Sequence, residues 1–231
     1  MKYKKTVSGT FLSRPNRFIA KVKIGDSVET VHVKNTGRCR ELLIEGCRVY
    51  LEESDNPNRK TRYDLIAVEK QRENGRKLLI NMDSMAPNAA AAEWLSGGLF
   101  SKKAEIKREM TYGDSRFDFY IEDGEEKAFL EVKGVTLENN GIALFPDAPT
   151  DRGIKHINGL IKAKEDGYKS YILFVIQMKE VTAFTANDVT HKAFGEALRK
   201  ARKSGVEILA YNCRVTPDTM EIDLPVKVIT D

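Results

Sequence analysis

The sequence predicts two domains, a small β-barrel followed by an α/β domain whose mixed sheet is flanked by helices. Three observations predict it. Residues 5–82 hold short apolar segments broken by turn residues, with no long helical pattern between them. From residue 84 onward, helix-period stretches alternate with apolar runs, as in a sheet with helices on its faces. Charge divides at the same place: residues 1–82 carry 18 Lys+Arg against 10 Asp+Glu, a net of +8, whereas the remainder carries 20 against 24, a net of −4.

The barrel segments are KTVSGTFLS (5–13), RFIAKVKIG (17–25), SVETVHVK (27–34), CRVYLEES (47–54), RYDLIAVEK (62–70) and RKLLINM (76–82). Turn chemistry separates them at Arg14-Pro15-Asn16, Gly25-Asp26, Asn35-Thr36-Gly37, Asn56-Pro57-Asn58 and Asn74-Gly75. Five or six strands in about 80 residues suit an OB-like barrel, which sets the first domain at 1–83 and the second at 84–231. Basic side chains fall on alternate strand positions (Lys21, Lys23) and in loops (Arg14, Arg17, Arg38, Arg40, Arg59, Lys60, Arg62), interleaved with Phe11, Phe18, Tyr50 and Tyr63. Such a surface suits a nucleic-acid strand, charges tracking phosphates and rings able to stack on bases, although for each ring packing in the barrel core is the stronger expectation. The glycine turn that follows His32-Val33-Lys34 can turn backbone N–H groups toward an anion, with Arg38 and Arg40 beside it.

After Met85-Ala86-Pro87-Asn88, an alanine-rich helix ending at Ser96-Gly97-Gly98 marks the joint, with Trp94 expected at the contact between domains. Residues 116–133 read as a β-hairpin turning at Asp123-Gly124. Alternation sends Phe117, Phe119 and Ile121 to one side and Arg116, Asp118 and Tyr120 to the other. On the return strand Leu130 and Val132 share the apolar side and Glu131 and Lys133 the other. A two- or four-residue loop pairs Asp118 with Phe129 and Arg116 with Glu131, making Asp118 and Glu131 diagonal neighbours roughly 7–8 Å apart. Two carboxylates and a lysine on one face suit a hard cation such as Mg²⁺, which takes oxygen ligands and leaves room for water and phosphate. The competing possibility is a solvated strand face carrying an ordinary ion pair. Glu109, just upstream, is a candidate third carboxylate.

A helix follows Phe145-Pro146-Asp147-Ala148-Pro149, with Thr150 as N-cap and Asp151 complementing its dipole. Its apolar side is Ile154, Ile157, Leu160 and Ile161. Arg152, Lys155 and His156 gather near its start, where they suit a phosphate or a plain solvated face. Residues 170–177 form a continuous apolar strand buried on both faces. A second helix runs from about Asp188 to Ser204, and a strand from Val206 to Arg214.

At 231 residues with 41% hydrophobic and 31% charged content, the chain is a globular protein with length enough for a large core. No apolar run approaches the roughly 18 residues of a membrane span, and MKYKKTVSG lacks a signal-peptide core. Three scattered cysteines (Cys39, Cys47, Cys213) fit a reducing cytoplasm. No membrane partner is expected, and the basic barrel makes DNA the expected partner, with RNA as an alternative. Nothing in the sequence specifies an oligomeric state. No P-loop, dinucleotide fingerprint, Ser-His-Asp arrangement or base-reading helix-turn-helix is present.

Six motifs carry a resemblance over nearly the whole chain: HVKNTGRCREL (32–42), MAPNAAA (85–91), SRFDF (115–119), FLEVKGVTL (129–137), LFPDAPTDRGIKHINGLI (144–161) and ILFVIQ (172–177). In these the sequence resembles the sugar fermentation stimulation protein A family of prokaryotes. The resemblance implies an N-terminal OB-like domain, a C-terminal domain similar to the PD-(D/E)xK nucleases, DNA binding, and a regulatory role in sugar (maltose) metabolism. It makes Asp118 and Glu131 the metal ligands, for Mg²⁺ or Mn²⁺, and Lys133 the catalytic lysine. Phe117 stands where the nuclease motif often has proline. Two functions remain open: a divalent-metal-dependent nuclease, and a non-catalytic DNA-binding regulator that keeps the nuclease architecture.

Overall fold

The computed structural model describes residues 1–35, 37–73 and 75–230; the Thr36 and Asn74 turn positions lie outside the described residues. The first sheet comprises β1 (Thr6–Asn16), β2 (Ile19–Ile24), β3 (Ser27–Val33), β4 (Arg48–Glu53), β5 (Tyr63–Gln71) and β6 (Lys77–Asn81). β1 pairs with β2 and β4, β2 with β3, and β4 with β5; parallel pairing of β3 with β5 closes a five-stranded barrel in the order β1-β2-β3-β5-β4. β6 extends the sheet along β5. One break differs from expectation. β1 runs on through Pro15 to Asn16, which pairs with Ile19, so Arg17 and Phe18 alone make the turn.

The chain continues through α1 (Ala86–Trp94), a π-turn over Leu95–Leu99, β7 (Glu105–Tyr112), β8 (Ser115–Asp123), β9 (Glu126–Val135), β10 (Leu137–Asn139) and β11 (Ile142–Phe145). Next come α2 (Asp151–Glu165), β12 (Lys169–Ile176), β13 (Ala183–Ala186), α3 (Asp188–Lys203), β14 (Glu207–Val215), β15 (Met220–Pro225) and β16 (Lys227–Ile229). Strands in the order β15-β14-β12-β9-β8-β7 form a mixed sheet, parallel where β12 meets β9 and β14 and antiparallel elsewhere. A smaller sheet follows the order β10-β11-β13-β16. Of the three helices among the described residues, α1 packs on one face of the mixed sheet, and α2 and α3 lie together on the other.

Local chemistry explains both long helices. Thr150 Oγ1 accepts the Gly153 N–H and Asn187 Oδ1 accepts the Thr190 N–H, so each helix starts on a side-chain cap followed by an aspartate. Ile157, Leu160 and Ile161 of α2, and Phe194, Leu198 and Ala201 of α3, bury the predicted stripes. Trp94 departs from expectation. It packs on Tyr211 of β14, ring centroids 4.8 Å apart, because α1 lies across the mixed sheet and turns that side chain away from the barrel. No helix among the described residues is long and apolar enough to cross a membrane.

The two regions share one apolar cluster, in which Val33, Ile80 and Met82 join Phe174, Ile176 and Met178. Asn81 N–H donates to Gln177 O, and Gln177 Nε2 returns bonds to the Asn81 and Asp83 carbonyls. A second fastening is ionic. Buried Glu138 takes Lys70 at 2.7 Å and Arg72 at 3.4 Å, both from the barrel side. Removing one partner from a buried ion cluster strands the others. Glu138→Ala is therefore expected to destabilise the protein by about 3 kcal/mol in urea unfolding; a loss below about 1 kcal/mol would place this cluster among weak surface pairs.

Candidate active site

The site is built where β8 and β9 part. Their ladder runs from Asp123↔Glu126 to Phe119↔Leu130, so the turn is Gly124-Glu125 and the register lies two residues from the expected one. Gly124, at φ 64°, takes the left-handed position alone. Asp123 stays in the strand because its carboxylate accepts the Ser101 N–H at 2.8 Å and hydroxyl at 2.5 Å. A slip of two preserves faces. It also sets Asp118 at the register position opposite Glu131, just beyond the last paired residues.

Neither backbone pairs there. Instead Asp118 Oδ2 accepts the Val132 N–H at 2.7 Å, and Oδ1 accepts Asn88 Nδ2 of α1 at 2.7 Å. The irregularity turns β8: Phe119 and Ile121 face α1, whereas Phe117 joins the core under α2, contrary to strict alternation. On the other side of Asp118, Glu109 of β7 sits at φ 57°, outside the ladder. Its exposed carboxylate binds Arg116 at 2.8 Å, so the structure does not bring Glu109 to the pair.

Glu131 is 3% exposed and points beneath α2. Its Oε1 accepts Lys133 Nζ at 2.5 Å and also bonds His156 Nδ1. Arg152 Nε approaches the other nitrogen of the ring, Nε2, at 3.4 Å. His156 is thus buried against a carboxylate and is not available on the helix surface for a phosphate. Its predicted companions Arg152 and Lys155 remain exposed.

The two carboxyls titrate in opposite senses. Burial, and then the Glu131 charge beside it, push Asp118 above the usual aspartate range. Burial also works against Glu131, but the bonds from His156 and Lys133 prevail and hold it below the usual glutamate range. Among the described residues, Glu131 Oε2 is buried without a hydrogen-bond partner. An orphaned anionic oxygen beside a second carboxylate is the donor set of a hard divalent cation, and these residues fit one. Among the described residues no three His, Cys, Asp or Glu side chains gather around such a position, so other ligands would be water or substrate.

A cleft of about 340 Å³ is lined by Asn35 and Gly37 from the barrel, by Gly134 and Gln177, and by Asp147 and Thr150 ahead of α2; Asp118, Glu131 and Lys133 are not among its lining residues. Barrel and helix loop approach so closely that a Cβ on Gly37 would stand 2.8 Å from Asp147 Oδ2. Arg38 is exposed next to this cleft, and Arg152 follows its Thr150 rim. Arg17 and Arg40 are also exposed, whereas Lys21 is half-buried on β2 and donates to Thr30 at 2.7 Å, away from the cleft lining. Asn88, which fixes Asp118, escaped residue-level reasoning; an asparagine in an alanine-rich helix carries no chemical signal of its own.

The fold and site define a two-domain protein, an OB barrel joined to a mixed-sheet domain that holds two neighbouring carboxylates and a lysine. Residues 12–79 match the family model described as the SfsA N-terminal OB domain, and residues 85–219 that of the sugar fermentation stimulation protein RE domain. A sugar fermentation stimulation protein homolog of Desulfitobacterium hafniense (strain Y51) is 57% identical over 221 residues, 96% of this chain and 95% of that one. Another, of Ruminiclostridium cellulolyticum, is 54% identical over 229 residues, 99% of each chain. A solved structure, that of Pyrococcus furiosus SfsA in complex with Ca²⁺, superposes with a TM-score of 0.84 at 28% identity, over 99% of this chain and 98% of that one. The chain belongs to the sugar fermentation stimulation protein family.

The opposed shifts fix the sign of a pH experiment. Glu131, depressed when folded, contributes stability above its ordinary value of 4.5 and loses it as pH falls through the folded value. Asp118, raised when folded, costs stability when ionised, and acid relieves that cost. In metal-free urea unfolding between about pH 6 and 3, Glu131→Gln should lose less stability than wild type, and Asp118→Asn more. Parallel profiles for all three would contradict this arrangement.

Proposed function

We propose that this chain is a DNA-binding, divalent-metal-dependent nuclease. In this proposal residues 1–83 grip the polyanion, and residues 84–231 form a PD-(D/E)xK-like domain that cuts phosphodiester bonds. The observation that carries it is the buried, unpartnered Oε2 of Glu131 beside Asp118, with Lys133 on the same carboxylate. The calcium complex of the Pyrococcus furiosus relative supports a divalent cation in this family, and Ca²⁺ shares with Mg²⁺ a preference for oxygen donors.

Asp118 and Glu131 Oε2 would hold Mg²⁺ or Mn²⁺. Such an ion acidifies a bound water and offsets charge on the phosphate under attack. Glu131 Oε1, already bonded to Lys133 and His156, cannot turn away, so Oε2 stays aimed without reorganisation. Lys133 Nζ, 2.5 Å from Glu131 Oε1, is placed to orient the attacking water or offset developing charge. Arg17, Arg38 and Arg40 on the barrel and Arg152 and Lys155 on α2 supply phosphate contacts, and affinity falls as salt rises.

With Mg²⁺ or Mn²⁺ the purified protein should cut DNA, and Asp118→Ala, Glu131→Ala or Lys133→Ala should reduce cutting at least about a hundredfold. Binding measured in EDTA should survive each change. Equal cutting by wild type and Asp118→Ala would assign the activity to a contaminant. Binding without cutting would leave a regulator of sugar (maltose) metabolism, a role consistent with both Asp118 oxygens already being engaged by Val132 and Asn88.

A further inference from the structure

The β1–β2 turn presents an aromatic ring that folding leaves in water. Phe18 is 45% exposed, the one exposed phenylalanine among the described residues. Its backbone is pinned nonetheless. Asn16 Oδ1 accepts the Phe18 and Ile19 N–H groups at 2.9 and 3.1 Å, and Phe18 O accepts the Val33 N–H at 2.8 Å. Arg14 spends its guanidinium on three carbonyls, those of Arg17 (2.7 Å), Asn35 (2.7 Å) and Arg38 (2.6 Å). The turn is thereby tied to Asn35, which lines the cleft between barrel and mixed-sheet domain.

Arg17 lies over the ring, its guanidinium carbon 4.8 Å from the centroid. A fixed ring with a cation beside it, on a basic barrel, combines the two groups that hold single strands: a π-face for a base and a charge for its phosphate. Bases of an intact duplex already stack on each other and offer no free face. We infer that the Arg17–Phe18 turn is a stacking site for an unpaired base, so that the nucleic acid entering the cleft is single-stranded. This inference rests on the nucleic-acid part of the proposed function and not on its metal chemistry.

The test is fluorescence anisotropy in EDTA with labelled 15-nucleotide single strands of DNA and of RNA, an abasic strand of equal length, and the matching duplex. Phe18→Ala should weaken binding to both base-bearing strands about tenfold at fixed salt, leaving the salt slope unchanged. Phe18→Trp should retain affinity, and Phe18→Leu, which keeps apolar bulk without the ring, should behave as alanine does. The abasic strand should bind wild type and Phe18→Ala alike. Unequal losses on DNA and RNA identify which sugar the site favours. The inference falls if Phe18→Ala matches wild type on single strands, if the abasic strand suffers the same loss, or if duplex binds as tightly as single strand. A Phe18-dependent loss in a protein that never cuts would uphold the stacking site while removing the nuclease proposal. Failure to bind any oligonucleotide would remove both and leave the ring to a protein partner.

Discussion

Glu131 sits almost out of reach of water, with one oxygen shared between an ammonium and an imidazole and the other without a hydrogen-bond partner among the described residues. Burying a carboxylate is costly, and a protein that meets half of its hydrogen-bonding capacity has not finished the task. The surrounding structure is arranged about that imbalance. β9 carries Glu131 and Lys133 on the α2 face, α2 lowers His156 onto the same oxygen, and Arg152 closes the far side of the ring. Asp118 completes the opposite wall, its own ionisation made harder by the neighbour it faces. Two carboxylates held this close oppose each other's ionisation.

Barrel and mixed sheet share a core, and Gln177 at the end of β12 bonds to the backbone that leaves β6. Chain also crosses back: Tyr3 N–H donates to Asp218 O, and Lys2 bridges Thr219, so the residues preceding β1 lie along the far sheet. The expected boundary near residue 83 therefore marks a change of sheet, while packing runs across it. Between the two regions lies a cleft with Asn35 and Gly37 on one wall and Asp147 and Thr150 on the other.

Much of this was legible in the sequence, for identifiable reasons. The barrel strands announced themselves by alternation and turn residues, and α2 by Thr150 and its apolar stripe. The faces of Glu131, Lys133, Leu130 and Val132 followed from strand period alone. What stayed hidden depended on distant partners. Asp123, bonded by the distant Ser101, belongs to β8, and the hairpin register lies two residues from the expected one. Only the break at Asp118 sends Phe117 to the other side of the sheet. His156 read as one member of a basic group, and nothing local reveals that α2 presses it onto Glu131. Short strands such as β13 and β16 gain their pairing from neighbours remote in sequence and carry too few residues for any periodicity to show.

The most direct measurement is anomalous diffraction from crystals soaked in Mn²⁺. If the unpartnered oxygen exists to receive a cation, a manganese peak should appear in contact with Glu131 Oε2 and the Asp118 carboxylate, with Lys133 and His156 still on Oε1. An empty site alongside manganese bound elsewhere, or Glu131 Oε2 bonded to a protein group, would contradict it.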